Sequence, residues 1–397
     1  MPCLDGTSDL VSAPAPTAPG PASGGESPTT IGQVVRTKNR VRLGLAVAVA
    51  AVVAVVVAAM LSTSGAGPSQ PQAPGDPADG FGVGNWPPAD WRPYSDESPF
   101  NQLLPQEPRL HPRSAAIVAR LTEEGGPSDL RAGVADSDGD FQHPTYWSTA
   151  DDPEFTIRCT RPYGRCEVEG LRVRIPDRAR PAGGSDAHLA VVDQRSGWEY
   201  ALWEVESKPS GGGELVTGYG GRTRIDGDGL TSDATAAHFG LLAGMIRAPE
   251  LRRGRIDHAL FLVADCDSGE IVYPARGRGA PCGDGTDAPA QGMRFQLDMS
   301  DAEISALDVP RWKRGILRAL ARYGMFVGDT GGSPWDLEFE SGSTYTSFGY
   351  PDPIVTYAKR IGIPREDDGR YHFDVDEGID WRSRLRVVDP CVSERSC

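Results

Sequence analysis

His188-Leu-Ala-Val-Val-Asp193, Gln194-Arg-Ser-Gly197 and Trp198-Glu-Tyr-Ala-Leu-Trp-Glu-Val-Glu206 follow one another without a break. Two runs rich in β-branched and aromatic residues flank a four-residue segment ending in glycine, the pattern of antiparallel strands joined by a short turn. The same pattern extends outward. Thr156–Cys159, Cys166–Ile175, His258–Asp265, Ile271–Pro274, Gly292–Asp298 and Met325–Gly328 are further expected strands. Segments 258–265 and 271–274, across Cys266-Asp-Ser-Gly-Glu270, are expected to form a second hairpin. Helical spacing is confined to Ser114–Glu124, Thr235–Met245, Ile354–Ile361 and Pro310–Tyr323; in the last, Trp312, Ile316, Leu320 and Tyr323 share a face ahead of Gly324. Hairpins at this density, with helices interspersed, predict a mainly β fold: an antiparallel β-sandwich or jelly-roll-like body.

Upstream of that body, Leu43–Leu61 is a 19-residue apolar run without a charge. As a helix it reaches roughly 28 Å, the thickness of a bilayer's hydrocarbon core. Arg36, Lys38, Arg40 and Arg42 precede it, whereas 62–80 holds Asp76 and Asp79 and no base. The positive-inside rule therefore predicts a disordered cytoplasmic tail (1–42), a transmembrane helix (43–61), a flexible Pro/Gly/Ser linker (62–80) and an extracellular globular domain (81–397). A cleaved signal peptide is the competing reading; the long leading segment and the length of the apolar run disfavour it.

The chain carries a formal charge of −15 over 397 residues, which speaks against nucleic-acid binding, since phosphate affinity rests on clustered bases releasing counterions. Of seven cysteines, Cys3 stands alone; the other six pair locally as Cys159/Cys166, Cys266/Cys282 and Cys391/Cys397. Six cysteines in an exported region favour disulfides, and nearest-neighbour bridges are expected. Their spacing does not suit a zinc site.

Several catalytic signatures are absent: G-x-S-x-G, H-E-x-x-H, G-x-x-x-x-G-K-[ST] and C-x-x-C. Asp136-Ser-Asp138-Gly-Asp140 starts like a calcium loop, but Phe141 and Trp147 occupy the positions that need Gly and Glu. No cofactor is expected; a looser calcium site there or at Asp226-Gly-Asp228 is a secondary expectation, against the simpler reading of solvated turns. Asp186 stands two residues before His188, so the two share a strand face and can form an acid–base pair. Gly220–Asp233 reads as a long surface loop that brings Arg222 toward a ligand, with 231–233 capping the helix that follows. Asp257 and His258 open a strand. Asp329-Thr-Gly331 has the form of an aspartic-protease triplet, without the second Asp context that chemistry requires.

Gly254-Arg-Ile-Asp-His-Ala-Leu260, Tyr273-Pro-Ala275, Gly292-Met-Arg-Phe295, Arg318-Ala-Leu-Ala-Arg-Tyr-Gly324 and Val327-Gly-Asp-Thr-Gly331 together resemble a family of secreted bacterial proteins, mainly actinobacterial. The resemblance covers mainly 183–331, with weaker similarity around Ser98-Pro-Phe-Asn101 and His111-Pro-Arg-Ser114. Members of that family carry Ser-Asp-Arg-His and Asp-Asn-Gly where this chain has Ser185-Asp-Ala-His188 and Asp329-Thr-Gly331. The resemblance implies secretion and brings no reaction with it.

These features converge on a membrane-anchored, extracellular carbohydrate-active enzyme, a glycoside hydrolase or polysaccharide lyase. A hydrolase needs one protonated and one ionised carboxyl about the glycosidic oxygen, and a lyase needs a base with a cation beside the uronate. Asp186, His188, Asp257, His258 and Asp329 are the expected catalytic set, with Arg222 or Arg294 as anion contact. Trp198 and Trp203 are expected to stack on sugar, among the wider set Trp86, Trp91, Trp147, Trp312 and Trp335. The alternative is a non-catalytic surface protein that binds a glycan or another partner.

Overall fold

The computed structural model describes residues 86–231, 234–283 and 287–397. The expected tail, membrane helix and linker lie outside them, as do Ser232 and Asp233. Among the described residues, no helix is long and apolar enough to cross a membrane.

Among the described residues, thirteen strands are formed: β1 (Leu130–Ala132), β2 (Thr145–Ser148), β3 (Glu154–Cys159), β4 (Arg172–Arg174), β5 (Leu189–Asp193), β6 (Trp198–Ser207), β7 (Gly213–Arg224), β8 (Leu260–Ala264), β9 (Arg294–Leu297), β10 (Met325–Thr330), β11 (Asp336–Leu337), β12 (Tyr371–Phe373) and β13 (Leu385–Val388). The helices used below are α1 (Ser114–Leu121), α2 (Ala248–Arg253), α3 (Asp301–Ala306) and α4 (Arg311–Arg322). A six-stranded sheet has the order β2-β5-β6-β7-β3-β4 and a five-stranded sheet the order β11-β8-β10-β9-β13; β1 and β12 pair separately.

The fold is mainly β, with mixed sheets. The β5–β6 hairpin forms in the expected register, Asp193 opposite Trp198 and Leu189 opposite Leu202. The sheets are not wholly antiparallel, however: β2–β5, β3–β7 and β8–β10 are parallel pairs. Those pairings join strands far apart in sequence, and hairpin spacing carries no information about them. The six-stranded sheet is covered on both faces. Ala190 and Val192 pack into the larger core with the five-stranded sheet, while Leu189 and Val191 pack into a smaller core with Phe155, Ile157 and Leu202. Burial on both faces explains why β5 is a continuous apolar run and not an alternating one.

Four expected elements differ. Of the strand expected at Cys166–Ile175, only Arg172–Arg174 is formed, as β4. The second hairpin is not formed: β8 pairs with β10 and β11, and Ile271 makes only an isolated bridge to Gln291. Residues 235–245 are irregular, because Gly244 turns with φ +74° so closely against β8 that a Cβ would lie 2.6 Å from the Phe261 nitrogen. The expected loop at 220–224 is instead the end of β7, where a Cβ on Gly220 would lie 2.8 Å from the Ala201 carbonyl oxygen. The glycines there serve close strand packing, which in sequence looks like loop composition. All three nearest-neighbour disulfides are present.

Candidate active site

A cavity of about 630 Å³ is bounded by both sheets. The parallel strands β8 and β10 deliver their C-terminal ends to it, with Val263 and Asp329 in register. Gly328 sits at a β-bulge that shifts the register between Val327 and Asp329. A side chain at 328 would collide with the Phe261 ring, so only glycine lets β10 bend there and turn Asp329 toward the cavity. One Asp329 oxygen accepts the Thr330 N–H (2.8 Å) and the other the Ala236 N–H (3.2 Å). Burial raises its pKa to about 6 in spite of those bonds, and the nearby Asp186 charge adds to the shift.

Asp186 and His188 enter from the segment leading into β5. Asp186 is half-buried and accepts the Trp203 indole N–H at 3.3 Å. The His188 ring is buried, and its pKa is lowered by desolvation against the opposing pull of Asp186. It meets the His143 ring edge to face, with centroids 4.7 Å apart.

His143 and Glu338 complete the buried end. His143 Nδ1 lies 2.8 Å from the Leu241 carbonyl. A carbonyl only accepts, so this nitrogen carries the proton and Nε2 presents its lone pair toward Glu338 Oε2, 3.9 Å away. Burial and His188 push the His143 pKa well down. Burial pushes Glu338 well up, and the charges of Asp336, Asp140 and Asp329 reinforce that shift. Burial thus favours the uncharged form of both imidazoles and of the Glu338 carboxyl, beside an Asp329 that titrates near pH 6. Carboxyls and imidazoles so arranged can give and take protons within one pocket.

The mouth has a different character. Tyr163, held in the Cys159–Cys166 loop, has its ring centroid 6.2 Å from Trp203 and 6.0 Å from Tyr219. Tyr163 and Phe141 are among the exposed large apolar side chains, at 64% and 48%. Arg131 and Arg278, both exposed, also line the cavity. The protein matches no family model, no curated protein and no solved structure.

The structure thus brings together Asp186, His188, Asp329 and Trp203 of the expected set. The others lie elsewhere. His258 is buried against the Ala259 carbonyl (2.8 Å) and Glu250 (3.3 Å), and Glu250 also pairs with Arg247 (2.8 Å). Asp257 pairs with Arg255 at 2.7 Å. Arg294 is a core residue: it donates to the Tyr323 and Gln102 carbonyls and lies over the Phe326 ring, and burial lowers its pKa to about 9. Arg222 stacks on Trp198, 4.5 Å from its ring, and neither residue lines the cavity. Trp86, Trp147, Trp312 and Trp335 are core side chains. Asp140, at the expected calcium loop, turns inward to accept the Ser341 hydroxyl at 2.8 Å. The only cluster of three candidate metal-ligand side chains among the described residues is Asp265 with Cys266 and Cys282, whose sulfurs are already joined.

His143, Glu338, Tyr163 and Phe141 were not singled out in the sequence. A signal existed for the first two: the chain has only six histidines, and Asp336-Leu-Glu-Phe-Glu340 alternates acidic and apolar residues as a strand does.

Proposed function

We propose that this cavity is the active site of an extracellular carbohydrate-active enzyme, a glycoside hydrolase tethered to the membrane by residues 43–61. In this reading Asp329 is the general acid that protonates the leaving glycosidic oxygen, and Asp186 is the base or nucleophile. Buried Glu338 and the two histidines hold the acid's surroundings free of positive charge, and Tyr163, Trp203 and Phe141 stack on sugar rings. The observation that carries the proposal is Asp329 itself, a carboxyl with its proton held to about pH 6 in a pocket shared with half-exposed Asp186 and edged by aromatic rings. A carboxyl whose surroundings hold its proton suits the role of the acid.

A lyase is the second reading. It is favoured by Arg131 and Arg278 at the mouth, where guanidinium forks suit a uronate carboxylate. The test is incubation of the full chain with a panel of neutral and uronate-containing polysaccharides, reading both reducing ends and unsaturated-uronate absorbance. Reducing ends without unsaturation, lost in D329N and D186N, are expected. Unsaturated product would replace the hydrolase with the lyase. Retention of polysaccharide with no product over days would leave a binding protein.

A further inference from the structure

A second groove, of about 460 Å³, lies between the end of α2 and one face of α4. It is lined by Arg253 and Arg255 from the α2 tail, by Arg311, Arg318 and Arg322 from α4, and by Asp257 and Asp301. Five guanidinium groups in one groove is an unexpected concentration in a chain of net charge −15. The two carboxylates neutralise only part of it: Asp257 engages Arg255 at 2.7 Å and Asp301 engages Arg318 at 2.8 Å. Arg253, Arg311 and Arg322 form no ion pair among the described residues, and the Arg253 Nε is buried without a hydrogen-bond partner.

The backbone is shaped to hold these arginines together. Gly254 closes α2 with φ +62°, and a Cβ there would lie 2.6 Å from Arg311 Cγ. On the facing helix, a Cβ on Gly315 would lie 2.5 Å from the Gly254 carbonyl carbon. Glycine on both sides lets the α2 tail and α4 touch, which brings arginines from two elements to one groove. Arg311, Gly315, Arg318 and Arg322 recur every three to four residues, so on α4 they form a stripe roughly 16 Å long.

We infer that this groove binds a linear polyanion whose charged groups are phosphates. Like charges gathered in this way repel one another unless an anion neutralises them. Arginine, and not lysine, at all five positions favours planar, bidentate recognition. A phosphate offers more oxygens than a carboxylate and so takes forks from more guanidinium groups at once. A row of positive charge along a helix matches an extended chain better than a single compact ion. The groove is separate from the cavity, so the proposal stands whether or not the cavity hydrolyses sugar.

The test is equilibrium binding of fluorescent inorganic polyphosphate to the full chain at two or more salt concentrations, with orthophosphate and dextran sulfate as competitors. Polyphosphate is expected to bind with an affinity that falls with salt, and to be displaced poorly by either competitor. R253Q, R311Q and R322Q should each weaken binding about tenfold and reduce the salt slope by about one. Unchanged thermal unfolding separates lost contacts from lost fold, and D329N should bind as the wild type does. Wild-type affinity in the triple arginine variant, or equal displacement by dextran sulfate, would overturn the inference.

Discussion

Asp329 shows how one side chain acquires a role from its surroundings. Its two backbone hydrogen bonds favour the charged form, yet desolvation outweighs them and brings the pKa to about 6. A general acid must be protonated to act, so kcat/KM is expected to fall as pH rises through about 6, where the free protein loses this proton. D329N keeps an acceptor for the Thr330 N–H and removes a charge that burial penalises, so it should fold. Its kcat should drop by about 10²- to 10⁴-fold with little change in KM. A variant retaining a tenth of wild-type turnover would remove Asp329 from the mechanism. Asp186 and His188 were legible as a carboxyl and an imidazole two residues apart ahead of a strand, and Asp329 as the start of an Asp-Thr-Gly triplet where a strand ends. Asp257, His258 and Arg294 looked equally promising and are not in the cavity: a polar residue flanking an apolar strand reads the same whether it faces a pocket or seals the core. His258 seals the core by satisfying a buried carbonyl and Glu250.

At the scale of elements, the cavity depends on a bulge and a stapled loop. Replacing Gly328 with Ala puts a methyl group into the Phe261 ring, so either the ring or β10 must shift. G328A is expected to destabilise the fold by about 1–3 kcal/mol and to impair turnover beyond what the lower melting temperature explains, because Asp329 is the next residue. Thermal unfolding measured beside activity well below the melting point separates the two effects; full activity in G328A would mean that the bulge does not aim Asp329. The Cys159–Cys166 bridge closes the loop that carries Tyr163 to the mouth. Serine at both cysteines should raise KM several-fold with kcat nearly unchanged, as expected when a binding surface is loosened away from the reacting atoms. An equal fall in kcat would place Tyr163 at the chemistry instead. Local signals gave β5, β6 and α4 nearly to the residue, since period and turn composition act over a few positions. They misread β7 because glycine enables both loops and close packing, and only Ala201 across the gap distinguishes the two; at 235–245 apolar spacing reads as a helix, whereas Gly244 turns the chain against Phe261.

Across the whole molecule, buried carboxyls set how stability responds to pH. Asp140 and Asp329 hold their protons to about pH 6 and Glu199 and Glu340 to about pH 7, and burial pushes Glu338 up in the same direction, whereas the same groups in an unfolded chain release them near 3.8 to 4.5. Over that window the folded state binds more protons than the unfolded one, so stability declines as pH rises. His143 and His188 act in the opposite direction: they are neutral when folded and protonated when unfolded below 6.5, so they add stability as pH climbs to that value. Five carboxyls outweigh two imidazoles, and the melting temperature is expected to fall between pH 5 and pH 8. Below about 4.5 the sign reverses at Glu250, whose pKa near 2 reflects the Arg247 and His258 charges overcoming burial, so its stabilisation is lost on acidification. Glu199 offers the cleanest test. It lies in the six-stranded sheet facing the larger core, accepts the Tyr94 hydroxyl at 2.6 Å and the Leu242 N–H at 3.2 Å, and so ties the segment around Tyr94 to the chain at 241–242. Glutamine has the shape of the protonated acid and can bond to both partners without ever ionising. E199Q should match the wild type at pH 5 and be the more stable protein at pH 8, by about 1.4 kcal/mol for each pH unit over which Glu199 held its proton. Thermal unfolding of both proteins from pH 4 to 8 decides the matter: curves that run parallel, or a wild type that grows steadily more stable toward pH 8, would show that Glu199 is ionised throughout and that the core accommodates its charge.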